Sequence, residues 1–116
     1  MLSIGPAVKV VIHVNDDVSS RKELLYEDIL KFLFDRGVAS ATFLRVQSGF
    51  GTYHSMHTLG FAGTEGGSLL VRIEFIETRE TVEALLPALY ELITHGVIEA
   101  QDTTILKAAI RSSKTP

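Results

Sequence analysis

The feature that most constrains this chain is the order of its apolar patterns: strand-like, helix-like, two strand-like runs, helix-like, then strand-like again. From Ala7 to Val14 the residues are mostly β-branched. Val8, Val10, Ile12 and Val14 share one face, and Lys9, Val11 and His13 take the other. Asn15-Asp16-Asp17 carries turn-forming side chains and is expected to end that strand. Ser20 and Glu23 have the spacing of a capping box. Leu25, Ile29, Phe32 and Leu33 then recur at helical spacing, and Gly37 stands where a left-handed stop is expected. A second strand is read over Ala39–Gln47, with Thr42, Leu44 and Val46 on one side and Ala41, Phe43 and Arg45 on the other. A third runs over Leu69–Ile76. Thr78 is expected to cap a helix striped by Val82, Leu85, Leu86, Leu89 and Ile93 and ending at His95-Gly96. Pro87 predicts a kink in that helix, or a start later than Thr78. A short last strand is placed at Thr103–Ala108, before a polar tail over 111–116.

Two helices can cover only one face of a four-stranded antiparallel sheet. The pattern therefore predicts an α+β fold, a ferredoxin-like βαββαβ two-layer sandwich with a long glycine-rich loop between strands 2 and 3. At 116 residues and 46% hydrophobic content it is one domain over 1–116, with a core spanning about 7–108. The face without helices is expected to hold Val11, Phe43, Leu70 and Ile76 beside Lys9, His13, Arg45, Arg72 and Glu74. That mixture is too apolar for a solvated face and too charged for a dry core. It predicts burial by other subunits, with arginine–glutamate pairing across the seam. Tyr26, Leu30 and Phe34, off the main stripe of the first helix, point the same way.

Composition removes several chemistries. The chain has no cysteine, so disulfides, thiolate metal sites and cysteine nucleophiles are excluded. A formal charge of −3 argues against a broad hold on nucleic-acid phosphate. No membrane span or targeting segment is expected, and the chain reads as soluble and cytoplasmic. The segment Ser48–Gly67 is the distinctive stretch. Gly49-Phe50-Gly51 can present backbone N–H groups to an anion, or simply form the root of a hairpin anchored by Phe50. His54 and His57 could meet at one metal, but a stable site wants three or four ligands and no carboxylate lies between Gly49 and Thr64; a solvated pair is the other reading. Ser48 and Ser55 lie in no nucleophile elbow. Glu77, Glu80, Glu83 and Glu91 read as a solvated face of the second helix. No catalytic residue, resident metal or cofactor is expected.

The segment Leu24-Leu-Tyr-Glu-Asp-Ile-Leu, then Gly37-Val-Ala-Ser-Ala-Thr, Ser48-Gly-Phe-Gly-Thr-Tyr-His-Ser, Leu85-Leu-Pro-Ala-Leu and Gly96-Val-Ile together resemble the uncharacterised PII-like family called domain of unknown function 190. The resemblance runs over roughly Val8–Leu106. More distantly the chain is similar to nitrogen-regulatory PII signal-transduction proteins. This resemblance implies a homotrimer with its sheets turned inward. It also implies an effector loop over 48–67 that meets a membrane transporter, a channel or a soluble enzyme. A nucleotide would lie in the inter-subunit cleft, touched by the loop root and by the segment before the last strand. Gly49 and Gly51 match the glycines at the loop root, while Thr52 and Tyr53 replace the usual arginine and glutamine. Gly96-Val-Ile-Glu-Ala-Gln-Asp replaces a glycine- and lysine-rich turn, and its two carboxylates disfavour a triphosphate. A less charged nucleotide or small anion is the expected effector, held by the backbone of Gly49, Phe50 and Gly51 with Arg45, His54 and His57 as polar groups. The alternatives are a metal-binding or catalytic domain built on His54 and His57, and an interaction module with no small ligand.

Overall fold

A computed structural model describes residues 2–17, 25–45, 48–50, 56–58 and 68–108. In chain order the elements are β1 (Gly5–Asp17), α1 (Leu25–Asp35), β2 (Ala41–Arg45), β3 (Ser48–Phe50), β4 (Met56–Thr58), β5 (Ser68–Glu77), α2 (Arg79–Leu92) and β6 (Val97–Ile105). An antiparallel sheet of order β2-β5-β1-β6 carries both helices on one face, which is the βαββαβ sandwich the apolar pattern predicts. Val8, Val10, Ile12 and Val14 of β1 and Val71, Ile73 and Phe75 of β5 pack against Ile29 and Leu33 of α1 and Val82, Leu85 and Leu89 of α2. Burying these side chains supplies the main favourable free energy of the fold, at roughly 25 cal/mol per Å² of apolar surface removed from water.

Local signals end the helices as expected. Gly37 has φ 79°, and Val38 N–H donates to Leu33 C=O at 3.1 Å while Gly37 N–H donates to Phe34 C=O at 3.1 Å. Together they form a Schellman motif, which only glycine enters without strain. The Thr78 hydroxyl accepts from Thr81 N–H at 3.2 Å and starts α2. The capping box at Ser20–Glu23 and the tail at 111–116 lie outside the described residues.

Five expectations are corrected. Asn15-Asp16-Asp17 does not end β1, because pairing with β5 continues through Asp17↔Ser68 and satisfies the backbone. Helix α2 starts directly after Thr78 and contains Pro87. The donor missing at Pro87 would have served Glu83 C=O, and both residues are exposed, so water takes its place. The 48–67 segment contains a short hairpin, β3–β4. Strand β6 begins at Val97, so the stretch read as a turn is the edge strand itself, and edges tolerate charged residues. The fifth correction concerns β2. Pairing Phe43↔Ile73 and Arg45↔Val71 places Phe43 and Arg45 on the helix-covered side, and Thr42 and Leu44 on the open one. Phe43 stacks on Tyr26 of α1 at 4.4 Å between ring centroids, so Tyr26 is covered within the chain. Phe34, by contrast, is 82% exposed.

Candidate functional site

The open face of the sheet is ordered by strand register. One cross-strand row reads Leu44, Arg72, His13, Val97, and the next reads Thr42, Glu74, Val11, Glu99; Ile76, Lys9 and Gln101 follow. Period-two alternation puts all of them on the side the helices leave uncovered. The charges on this face are matched to one another. Lys9 Nζ lies 3.2 Å from Glu74 Oε1, Arg72 Nε 2.8 Å from Glu74 Oε2, and His13 Nε2 2.9 Å from Glu99 Oε2. Val11 is only 6% exposed between the two glutamates. Lys9, Glu74, Thr42, Ser40 and Ile76 also border a shallow cleft of about 200 Å³ at the β2–β5 side.

Two buried polar atoms on this face lack a hydrogen-bond partner among the described residues, Asn15 Oδ1 and Arg72 Nε. The Arg72 Nε approach to Glu74 is close enough for charge attraction but too poorly aligned for a hydrogen bond. Such orphans are uncommon in finished interiors.

The residues expected to hold an effector are only partly brought together. Gly49 and His57 stand opposite each other in the β3–β4 pairing, with Phe50 opposite Met56. Gly51 and His54 lie outside the described residues. Arg45 ends β2 on the helix-covered side and is exposed. Of the carboxylates of 96–102, Glu99 meets the imidazole of His13 and Asp102 pairs with Arg79 in the first turn of α2. Among the described residues no three potential metal-ligating side chains gather, and no helix is long and apolar enough to cross a membrane.

Glu77 is the residue that reading by composition misplaced. It belongs to β5, is 1% exposed, and its Oε2 accepts from Ala39 N–H at 2.9 Å, tying the α1–β2 connection to the sheet. The period-two series Val71, Ile73, Phe75 continues to position 77 and was the available signal. Glu80, Glu83 and Glu91 are exposed on α2, as expected.

The DUF190 family, described as Uncharacterized ACR, matches residues 7–105. The chain belongs to the DUF190 family. No curated protein matches it. Among solved structures, this DUF190 chain is similar to CPII, a nitrogen regulatory PII-like protein from Thiomonas intermedia K12 bound to ADP, AMP and bicarbonate. That likeness has TM-score 0.66 and 20% identity over 92% of this chain and 94% of the other. It is also similar to B. subtilis GlnK, with TM-score 0.51 and 17% identity over 84% and 85% of the two chains. A duf3240 family protein from Shewanella baltica gives TM-score 0.53 at 15% identity, over 96% of this chain and all of that one. At these identities the likeness establishes a PII-like fold for this DUF190 protein.

Proposed function

We propose that this protein is a trimeric, cytoplasmic, non-enzymatic regulator of PII-like type. Its 48–67 segment meets a partner protein, a transporter or an enzyme, and a nucleotide or small anion in the cleft between copies controls that contact. The observation that carries the reading is the open sheet face. It combines the buried Val11, matched charges and two orphaned polar atoms, yet among the described residues no second layer covers it. Packing copies face-inward would remove that surface from water, and any cleft between copies would be bordered by the Lys9–Glu74 side.

The ligands of CPII support a nucleotide or bicarbonate as effector class. In this chain the 96–102 stretch carries Glu99 and Asp102, and Arg79 is already engaged by Asp102. Repulsion by these carboxylates favours AMP, ADP or a small anion over a triphosphate. Gly49, Phe50 and Gly51 supply backbone donors in this scheme, with Arg45, His54 and His57 as polar groups. An effector regulates only by binding the two forms of the segment with different affinity.

Thermal-shift measurements with AMP, ADP, ATP and bicarbonate test the proposal, because a ligand bound to the folded state raises its apparent stability. A rise in Tm with AMP, ADP or bicarbonate that exceeds the rise with ATP is expected. A flat response to all four would contradict effector control and leave an interaction module without a small ligand.

A further inference from the structure

The open face is divided in charge. Its β5 side holds two cations, Arg72 and Lys9, around the single carboxylate of Glu74. Its β6 edge holds Glu99, whose carboxylate meets only the imidazole of His13 among the charged groups of that face. Taking histidine as neutral, one flank carries an excess positive charge and the other an excess negative charge. The ends of one cross-strand row are both apolar and exposed, Leu44 on β2 and Val97 on β6.

Arg72 is not finished within its own chain. Its Nε is buried without a hydrogen bond, while 42% of its side chain remains exposed. Glu99 is more exposed than Glu74, at 58% of its side chain against 20%. A guanidinium with unused donors and an exposed carboxylate are the two halves of a charge-assisted hydrogen bond. In a closed ring every seam joins one flank of a copy to the opposite flank of the next. We propose that the copies pack head to tail, with Arg72 of one copy bonded to Glu99 of the next and Leu44 set against Val97 across the same seam. The inference rests on the trimeric reading above and adds its register and the pair that selects it. A two-fold face-to-face dimer that set like flanks together would place cation on cation and is disfavoured.

The chain contains no cysteine, so R72C and E99C can be introduced alone and together. Strand β1 separates β5 from β6. Two strand spacings hold positions 72 and 99 at least about 9 Å apart within a chain, and an arginine–glutamate pair across a seam likewise sets its Cα atoms beyond the roughly 7 Å a disulfide spans. A short bis-maleimide therefore joins the cysteines, and a link within one chain leaves its mass unchanged. Treated with that reagent, R72C/E99C is expected to give covalent dimers and trimers on a denaturing gel, and each single variant only free chains. Absence of crosslinks in the double variant, while the unsubstituted protein sediments as three chains, would overturn the pairing and leave the trimer standing. An unsubstituted protein that sediments as one chain would overturn both. Charge exchange gives a second readout: R72E and E99R are each expected to raise the half-dissociation concentration about tenfold, with R72E/E99R returning it toward the starting value. A double variant as weak as the two singles combined would contradict the pair. The crosslink needs no reversed charge, so it still reports if a charge-reversed chain fails to fold.

Discussion

The two faces of one sheet are built from the same strands and follow opposite rules. On the covered face, β1 and β5 present Val8, Val10, Ile12, Val14, Val71, Ile73 and Phe75, all buried against helices. On the open face the alternate positions of those strands present Lys9, His13, Arg72 and Glu74, half-buried and paired around the buried Val11, with no cover among the described residues. The covered face is packed against helices of its own chain, with Glu77 Oε1 its one orphaned polar atom among the described residues. The open one keeps apolar surface, an unmatched donor at Arg72 and an unmatched acceptor at Asn15 that a second copy can match. Folding is thus assigned to one face and assembly to the other, and substitutions should sort by face.

The largest effect belongs to the covered face. Ile73→Ala empties a fully buried site and is expected to cost about 3 kcal/mol in urea unfolding, whatever the oligomeric state. A loss below about 1 kcal/mol would mean that the core does not discriminate the faces as described. Gly96→Ala follows at about 2 kcal/mol, because a Cβ there would stand 2.6 Å from the His13 carbonyl oxygen and 3.0 Å from Val14 Cγ1, and backbone cannot yield cheaply. Glu77 sharpens the contrast by being polar on the apolar side. Glu77→Ala leaves Ala39 N–H without its acceptor and is expected to cost about 2 kcal/mol, whereas Glu77→Gln keeps an acceptor and recovers most of it in the same unfolding assay. The smallest effect on the chain itself comes from the open face. Leu44→Ser should change its intrinsic stability by no more than about 0.5 kcal/mol, yet shift the equilibrium toward single chains when sedimentation is followed over a dilution series.

The contrast also explains which features are legible in the amino-acid sequence. Long runs with one apolar phase, Val8 to Val14 and Val82 to Ile93, announce both their element and their buried side. The five residues of β2, Ala-Thr-Phe-Leu-Arg, carry apolar side chains in both phases, so alternation alone cannot orient them; only the pairing Phe43↔Ile73 does. Polar residues misled in the opposite sense at β6, where Glu99, Gln101 and Asp102 look like a turn but sit on an edge strand with one side unpaired. Pro87 does not delay the start of α2, because its missing bond falls on the exposed side of a helix that runs from Arg79 to Leu92. Of the expected effector residues, Gly49, Phe50 and His57 come together through the β3–β4 pairing, which a glycine-rich run does not signal. Alternation read in the wrong phase put Arg45 on the open face. The matched pairs Lys9–Glu74 and His13–Glu99 depend on register between strands far apart in the chain, which local patterns do not encode.

The claim beneath all of this is that other copies of the chain cover the open face. Sedimentation velocity on the unsubstituted protein at micromolar concentration addresses it directly. The account predicts one species of about three times the 12.7 kDa chain mass. A single species of one chain mass, unchanged as concentration rises, would contradict it.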